Sequence, residues 1–461
     1  MNVMAVFNFL GPVILNGVNF FTIPIFTRLL GTANFGIITI YTAWVQIFTV
    51  IVGLQTGGSI AVAKVHLPED EQNGYRSSVL FLSFSFFITV LLGIVLFMSP
   101  MSAFTDLSPG LVWLMLIQSF GAYVISFMTL VFTYDKKAML NFILSMVTAG
   151  TTIALSLFLI SRNPVEETRY YSRIIGMAAP NIAVGAVLFI TCMVKGRKLF
   201  SKVNWKFCIP VCLPLIFHGL SHILLSQTGK LMLQRYTEND STVGIYGLSV
   251  TVAGLVSIVW SALNNTWVPF YYDDMKTGNY EDIKRKTKNY MFLFTAFVAA
   301  FLFISPEMIT IMASKDFHSA VDTMPFLILS MYMVFLYSFP VNYQFFHKKT
   351  IYIALGTAAT TLVNFLLNLI LIPLYGSIGS AISSLIAYIF LFIAHMIIAK
   401  KFIKNGSFDF KISSFFRSVL AVAAATGLYF LLKDYWMIRW AFAAAAGILA
   451  VLRIIKNRSI F

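Results

Sequence analysis

His218 and His222 stand at i and i+4 in one long apolar stretch, and Lys230 follows further along it. On a helix an i, i+4 pair shares a face, and Lys230 falls about 80° round from His222. Such a face could draw an anion along the helix, and imidazoles near their own pKa could sense protons. A pair of neutral, hydrogen-bonded histidines inside a bundle fits the spacing equally. Arg28 and Arg235 lie near the ends of apolar stretches, and for both of them, as for Lys230, snorkelling of a long cation to an interface also fits. In the first stretch Asn8 and Asn19 fall within about 20° of each other, and Thr22 lies about 60° beyond Asn19. Together they make a polar stripe. Arg28 is on nearly the opposite side and joins it only if Pro24 bends or unwinds the helix. Asn364 and Asn368 make a second amide pair at i, i+4, of the kind that holds membrane helices together.

Acids are distributed differently from bases. No Asp or Glu falls clearly inside an apolar stretch, and Glu307 and Asp322 come nearest. Cation-coupled pumps ordinarily place a carboxylate within the membrane, so this pattern argues against them. The sequence shows no Gly-rich phosphate loop, no Ser/His/Asp set and no metal-ligand cluster. No catalytic residue, metal or cofactor is expected. Cys192, Cys208 and Cys212 flank one basic stretch and are expected as reduced thiols.

The elements that position these residues follow from composition. The 461 residues are 59% hydrophobic and 11% charged, with a mean hydropathy of +0.83. Soluble domains are about 25% charged. The pattern of long continuous apolar runs predicts an all-α integral membrane protein and excludes a β-barrel of short alternating segments. Fourteen transmembrane helices are expected, beginning with 4–27 and 36–60 and ending with 413–432 and 436–455. The first, lacking a basic leader, reads as a retained span rather than a signal peptide.

The net charge of +15 would fit nucleic acid, but the positions of the bases favour membrane topology instead. With the N-terminus in the cytoplasm, most bases fall in cytoplasmic segments. These are Lys64 and Arg76, Lys136 and Lys137, 195–206, 276–288, Lys348 and Lys349, 400–417 and 453–458. Both termini are then cytoplasmic. The stretch near 271–288 reads as a solvated amphipathic connector. Boundaries at the basic segments divide the chain into 1–197, 198–400 and a terminal helix pair at 411–456. Pro12 to Gly17 aligns with Pro214 to Gly219, and the same alignment sets Arg28 on Lys230. Gly36 to Tyr41 then answers Gly244 to Ser249. Such parallel repeats give two six-helix lobes with a cavity between them.

Two local motifs carry a resemblance. Ile23-Pro24-Ile-Phe-Thr-Arg28-Leu-Leu-Gly31, continued by Phe35-Gly36-Ile, resembles the first-helix signature of bacterial polysaccharide flippases. Asn364 to Ala381, with Pro373, Gly376 and Gly379, resembles the turn between their helices eleven and twelve. These are O-antigen-type flippases of the multidrug/oligosaccharidyl-lipid/polysaccharide exporter superfamily. The resemblance implies two six-helix lobes plus a C-terminal hairpin, V-shaped with a central cavity. It also implies alternating access that carries an undecaprenyl-diphosphate-linked oligosaccharide to the outer leaflet of the bacterial inner membrane. Membrane lipids and polysaccharide-assembly proteins are the partners it implies, and nucleic acid is not among them. On this reading Arg28 and Lys230 contact the diphosphate, His218, His222 and Asn19 line the path, and Arg235 assists exit. A cation-coupled drug exporter of the same superfamily is the alternative. A membrane glycan polymerase would need a large outer loop, and the outer loops here are short.

Overall fold

In a computed structural model the described residues are 3–401 and 412–457, with the side chains of 3–19, 412 and 414 outside the description. Among the described residues every regular element is helical. The chain runs as α1 (Val3–Gly53), α2 (Ser59–His66), α3 (Glu69–Leu96), α4 (Met98–Thr105), α5 (Pro109–Tyr134), α6 (Ala138–Arg162) and α7 (Arg169–Gly196). It continues as α8 (Lys202–Thr237), α9 (Asp240–Thr277), α10 (Tyr280–Met312), α11 (Met324–Phe346), α12 (Thr350–Lys401), α13 (Ile412–Leu431) and α14 (Trp436–Asn457).

Two of these helices are broken. Inside α1, Gly31 adopts φ 70°, ψ 178°, and inside α12, Gly376 adopts φ 55°, ψ −130°. Both conformations are essentially reserved for glycine. The expected spans 4–27 and 36–60 leave 28–35 as the turn between them, but the break is the single residue Gly31, and the residues on both sides of it are helical. Eleven described helices are long and apolar enough to cross a membrane, and Phe415–Leu431 is a shorter apolar one. With each broken helix counted as two spans, this is consistent with the fourteen expected. The backbone keeps helical angles through Pro24.

The connector near 271–288 is mostly helix. Gly278 closes α9 in the left-handed region at φ 71°, and α10 begins at Tyr280. Lys286 bridges the turn to Asp274 at 2.6 Å.

The chain forms two compact units, Met1–Leu231 and Met232–Phe461, so the partition falls inside α8. In the first, α5 and α7 pack on α1, and α6 packs on α7. At its basic end, Asp135 takes both nitrogens of the Arg76 fork, at 2.6 and 3.0 Å. Burial works against the Asp135 charge. Hydrogen bonding from Arg76 and the charges of Arg76, Lys64 and Lys137 outweigh it and hold the carboxyl below its ordinary range. In the second unit α11 packs against both α9 and α12, while α13 and α14 lie on α10. Glu307, the acid nearest a span, is taken there by Arg439 of α14. The pair is bidentate, at 2.5 and 2.9 Å, and Arg439 also donates to the Phe303 carbonyl at 2.6 Å.

Apolar side chains also cover the outside. Leu96, Phe104, Phe217, Ile370 and Leu374 are all exposed, as a lipid-facing surface requires. Lys404, Lys411 and Arg458, used above for topology, lie outside the described residues.

Candidate functional site

Lys230 lies about two turns before the C-terminal end of α8, where it is half-buried. Its Nζ donates to Gln227 Oε1 at 3.0 Å. Gln227 is one turn earlier on the same helix and is buried at 5% exposure. The Gln227 amide nitrogen in turn donates to Gln46 Oε1 at 2.9 Å. Gln46 stands on the second limb of α1, so the chain of polar groups crosses from α8 to α1. Among the described residues no carboxylate lies within ion-pair distance of Lys230. A cation held in an apolar helix end by a neutral amide alone retains most of its capacity to bind an anion.

The two histidines share α8 with it. His218 is half-buried, and its Nδ1 is buried with no hydrogen-bond partner among the described residues. His222 is exposed. Gly219 beside them marks a close approach, since a side chain there would meet Gln55 Nε2 at 2.8 Å. No described hydrogen bond joins either histidine to Lys230. Arg235 is exposed near the end of α8, and Arg28 is exposed in the last turn of the first limb of α1. The side chain of Asn19 lies outside the described residues. Asn364 and Asn368 bond to each other at 3.0 Å and are buried in α12.

The break at Gly31 carries a second set of polar groups. A broken helix leaves its last carbonyls short of donors, and side chains supply them here. Arg169 Nη1 donates to the Leu29 carbonyl at 3.0 Å. Asn34 Nδ2 donates to the Leu30 carbonyl at 2.8 Å and to the Glu166 carbonyl at 2.9 Å, and its Oδ1 accepts from the Tyr170 N–H at 2.9 Å. One turn on from Arg169, Arg173 lies over the ring of Phe26 at 3.8 Å and donates to Ser156 Oγ at 2.7 Å.

Sequence reasoning missed Gln46, Gln227, Arg169, Ser156 and Arg173. The available signal was a glutamine within each of two apolar stretches, one of them a helical turn before Lys230. For Arg173 the sequence showed only a cation at a helix end, with nothing to indicate the ring and hydroxyl that meet it.

Comparison with known proteins places this geometry in context. Residues 5–275, more than half the chain, match a family described as polysaccharide biosynthesis protein. A relative from Haemophilus influenzae, named Lsg locus putative protein 1, is 24% identical over 357 residues, covering 75% of this chain and 85% of the relative. Among solved structures, a lipid II flippase MurJ in an inward closed conformation superposes with a TM-score of 0.67 at 15% identity, covering 99% of both chains. An inward-facing multidrug resistance MATE family transporter of the MOP superfamily gives 0.59 at 14% identity, covering 88% of this chain and 97% of that one. The chain accordingly shares its fold with these two proteins.

Proposed function

The chain belongs to the polysaccharide biosynthesis protein family, and on that footing we propose that it is a flippase for an undecaprenyl-diphosphate-linked oligosaccharide. It moves the headgroup across the bacterial cytoplasmic membrane by alternating access and is not an enzyme. The lobes we assign to that motion are 1–197 and 198–400, with the pair at 411–456 appended.

The observation that carries the reading is Lys230, a half-buried cation whose described partner is a neutral amide. A diphosphate cannot cross hydrocarbon unaided, and a fixed cation along the path lowers its barrier. Arg28 is the second contact we assign to the diphosphate. His218, His222 and Asn19 line the path, and Arg235 assists exit. Glu307, an acid within α10, is already held by Arg439, which argues against its serving as the coupling carboxylate of a cation-driven drug exporter.

The test is translocation of a lipid-linked oligosaccharide in proteoliposomes, with and without ion gradients. The wild-type protein is expected to translocate it. Lys230→Ala is expected to abolish movement while still reaching the membrane. Wild-type protein that moves no such lipid would sink the reading, and normal transport by Lys230→Ala would remove Lys230 from the site.

A further inference from the structure

We propose that Arg173, backed by the Phe26 ring and the Ser156 hydroxyl, forms a second binding subsite, one for the phosphate group of a lipid. It lies at the end of α7 opposite the basic loops, about 33 Å along the helix from Lys195, close to one hydrocarbon thickness. The flippase reading supplies one of its two ligand sources, and the chemistry of the subsite stands without it.

Arg173 is half-buried one turn into α7. A guanidinium offers five donors in a planar fork. Here Nη1 is engaged by Ser156 Oγ at 2.7 Å, and Phe26 lies 3.8 Å from Cζ. A ring against the face of the fork leaves its edge open in the plane, where a phosphate binds two nitrogens at once. Among the described residues no carboxylate lies within ion-pair distance of Arg173. Other arginines that are buried or half-buried differ. Arg76 and Arg439 each hold a carboxylate with two nitrogens. Arg169, one turn before Arg173, is occupied by the Leu29 carbonyl and Glu166.

The hydroxyl is also held in place. Ser156 donates to the Thr152 carbonyl at 2.6 Å, which leaves its oxygen to accept from Arg173. Gly176 permits this, because a side chain there would run into Ser156 Oγ. Three helices, α1, α6 and α7, thus fix a fork with an unused edge.

The test is binding in dodecyl maltoside micelles, read by native mass spectrometry. The probes are undecaprenyl diphosphate, phosphatidylglycerol and, as the phosphate-free control, undecaprenol. Arg173→Gln is expected to weaken a phosphate-bearing lipid about tenfold, with undecaprenol unchanged. Arg173→Lys keeps the charge but loses the fork, and is expected to weaken it about threefold. A loss confined to undecaprenyl diphosphate identifies the cargo as the source of the phosphate. A loss that includes phosphatidylglycerol identifies a phospholipid headgroup. Unchanged affinity for both lipids in either variant with wild-type melting behaviour, or an equal loss for undecaprenol, overturns the subsite. Failure of wild-type protein to move any lipid-linked glycan would sink the flippase reading and leave this comparison intact.

Discussion

Gln227 holds Lys230 by one hydrogen bond and reaches Gln46 with its own amide nitrogen. The amide fixes the ammonium without neutralising it, which is what a transient anion site needs. Gln227→Leu should leave Lys230 without that acceptor and cut the link between α8 and α1. A buried hydrogen bond to a charged group contributes about 1.5–3 kcal/mol. Glycan translocation in proteoliposomes should fall about tenfold, with the amount of protein in the membrane unchanged. Gln227→Glu should fall further, because a permanent counter-ion competes with the cargo for Lys230. Wild-type initial rates in both variants would take Gln227 out of the site. The residue scale is where the sequence was only half legible. Lys230, His218 and His222 declare themselves by type in an apolar stretch. A glutamine there is less conspicuous, and its partner on another helix depends on packing that one sequence does not display. The same limit applies to Arg173, whose environment comes from α1 and α6.

At the scale of elements, spans and breaks were largely legible because glycine and proline punctuate the apolar runs. Gly31 and Gly376 were both placed in turns, and both break their helices. The length of the first turn was overestimated because one residue with positive φ suffices to redirect a helix. Less visible was what holds the terminal helices. Arg439 falls about one turn into the last expected span, 436–455, with nothing in the sequence to show its partner, yet it is 3% exposed and clamps α14 to α10 through Glu307 and the Phe303 carbonyl. Breaking a buried pair by removing one partner typically costs about 3–5 kcal/mol, whereas an apolar replacement of both is often neutral. Arg439→Ala should therefore destabilise the purified protein by about 3 kcal/mol. Combining Arg439→Met with Glu307→Leu should recover most of that loss. Thermal unfolding in detergent checks it, and equal melting of Arg439→Ala and wild type would show that the pair does not anchor α14.

At the scale of the molecule, the span count and the distribution of bases make one joint prediction. Each span inverts the side of every later loop, so Gly376 decides where the final hairpin turn lies. If α12 crosses twice, Asp434 faces outward with Glu167, and Lys202 faces the cytoplasm. If α12 crossed once, Asp434 would face the cytoplasm. The second unit already orders its own ends. Lys433 pairs with Asp322 at 2.7 Å, while Arg453 reaches Asn289 at 2.8 Å at the opposite end of α10. Single cysteines can report the side directly, because the native Cys192, Cys208 and Cys212 are 7%, 0% and 2% exposed. Glu167→Cys and Asp434→Cys should react with a membrane-impermeant maleimide on intact spheroplasts, and Lys202→Cys only after permeabilisation. Labelling of Lys202→Cys alone in intact cells would invert the orientation. Labelling of Glu167→Cys but not Asp434→Cys would show an odd error in the span count between them, with the uninterrupted crossing of α12 as its first explanation.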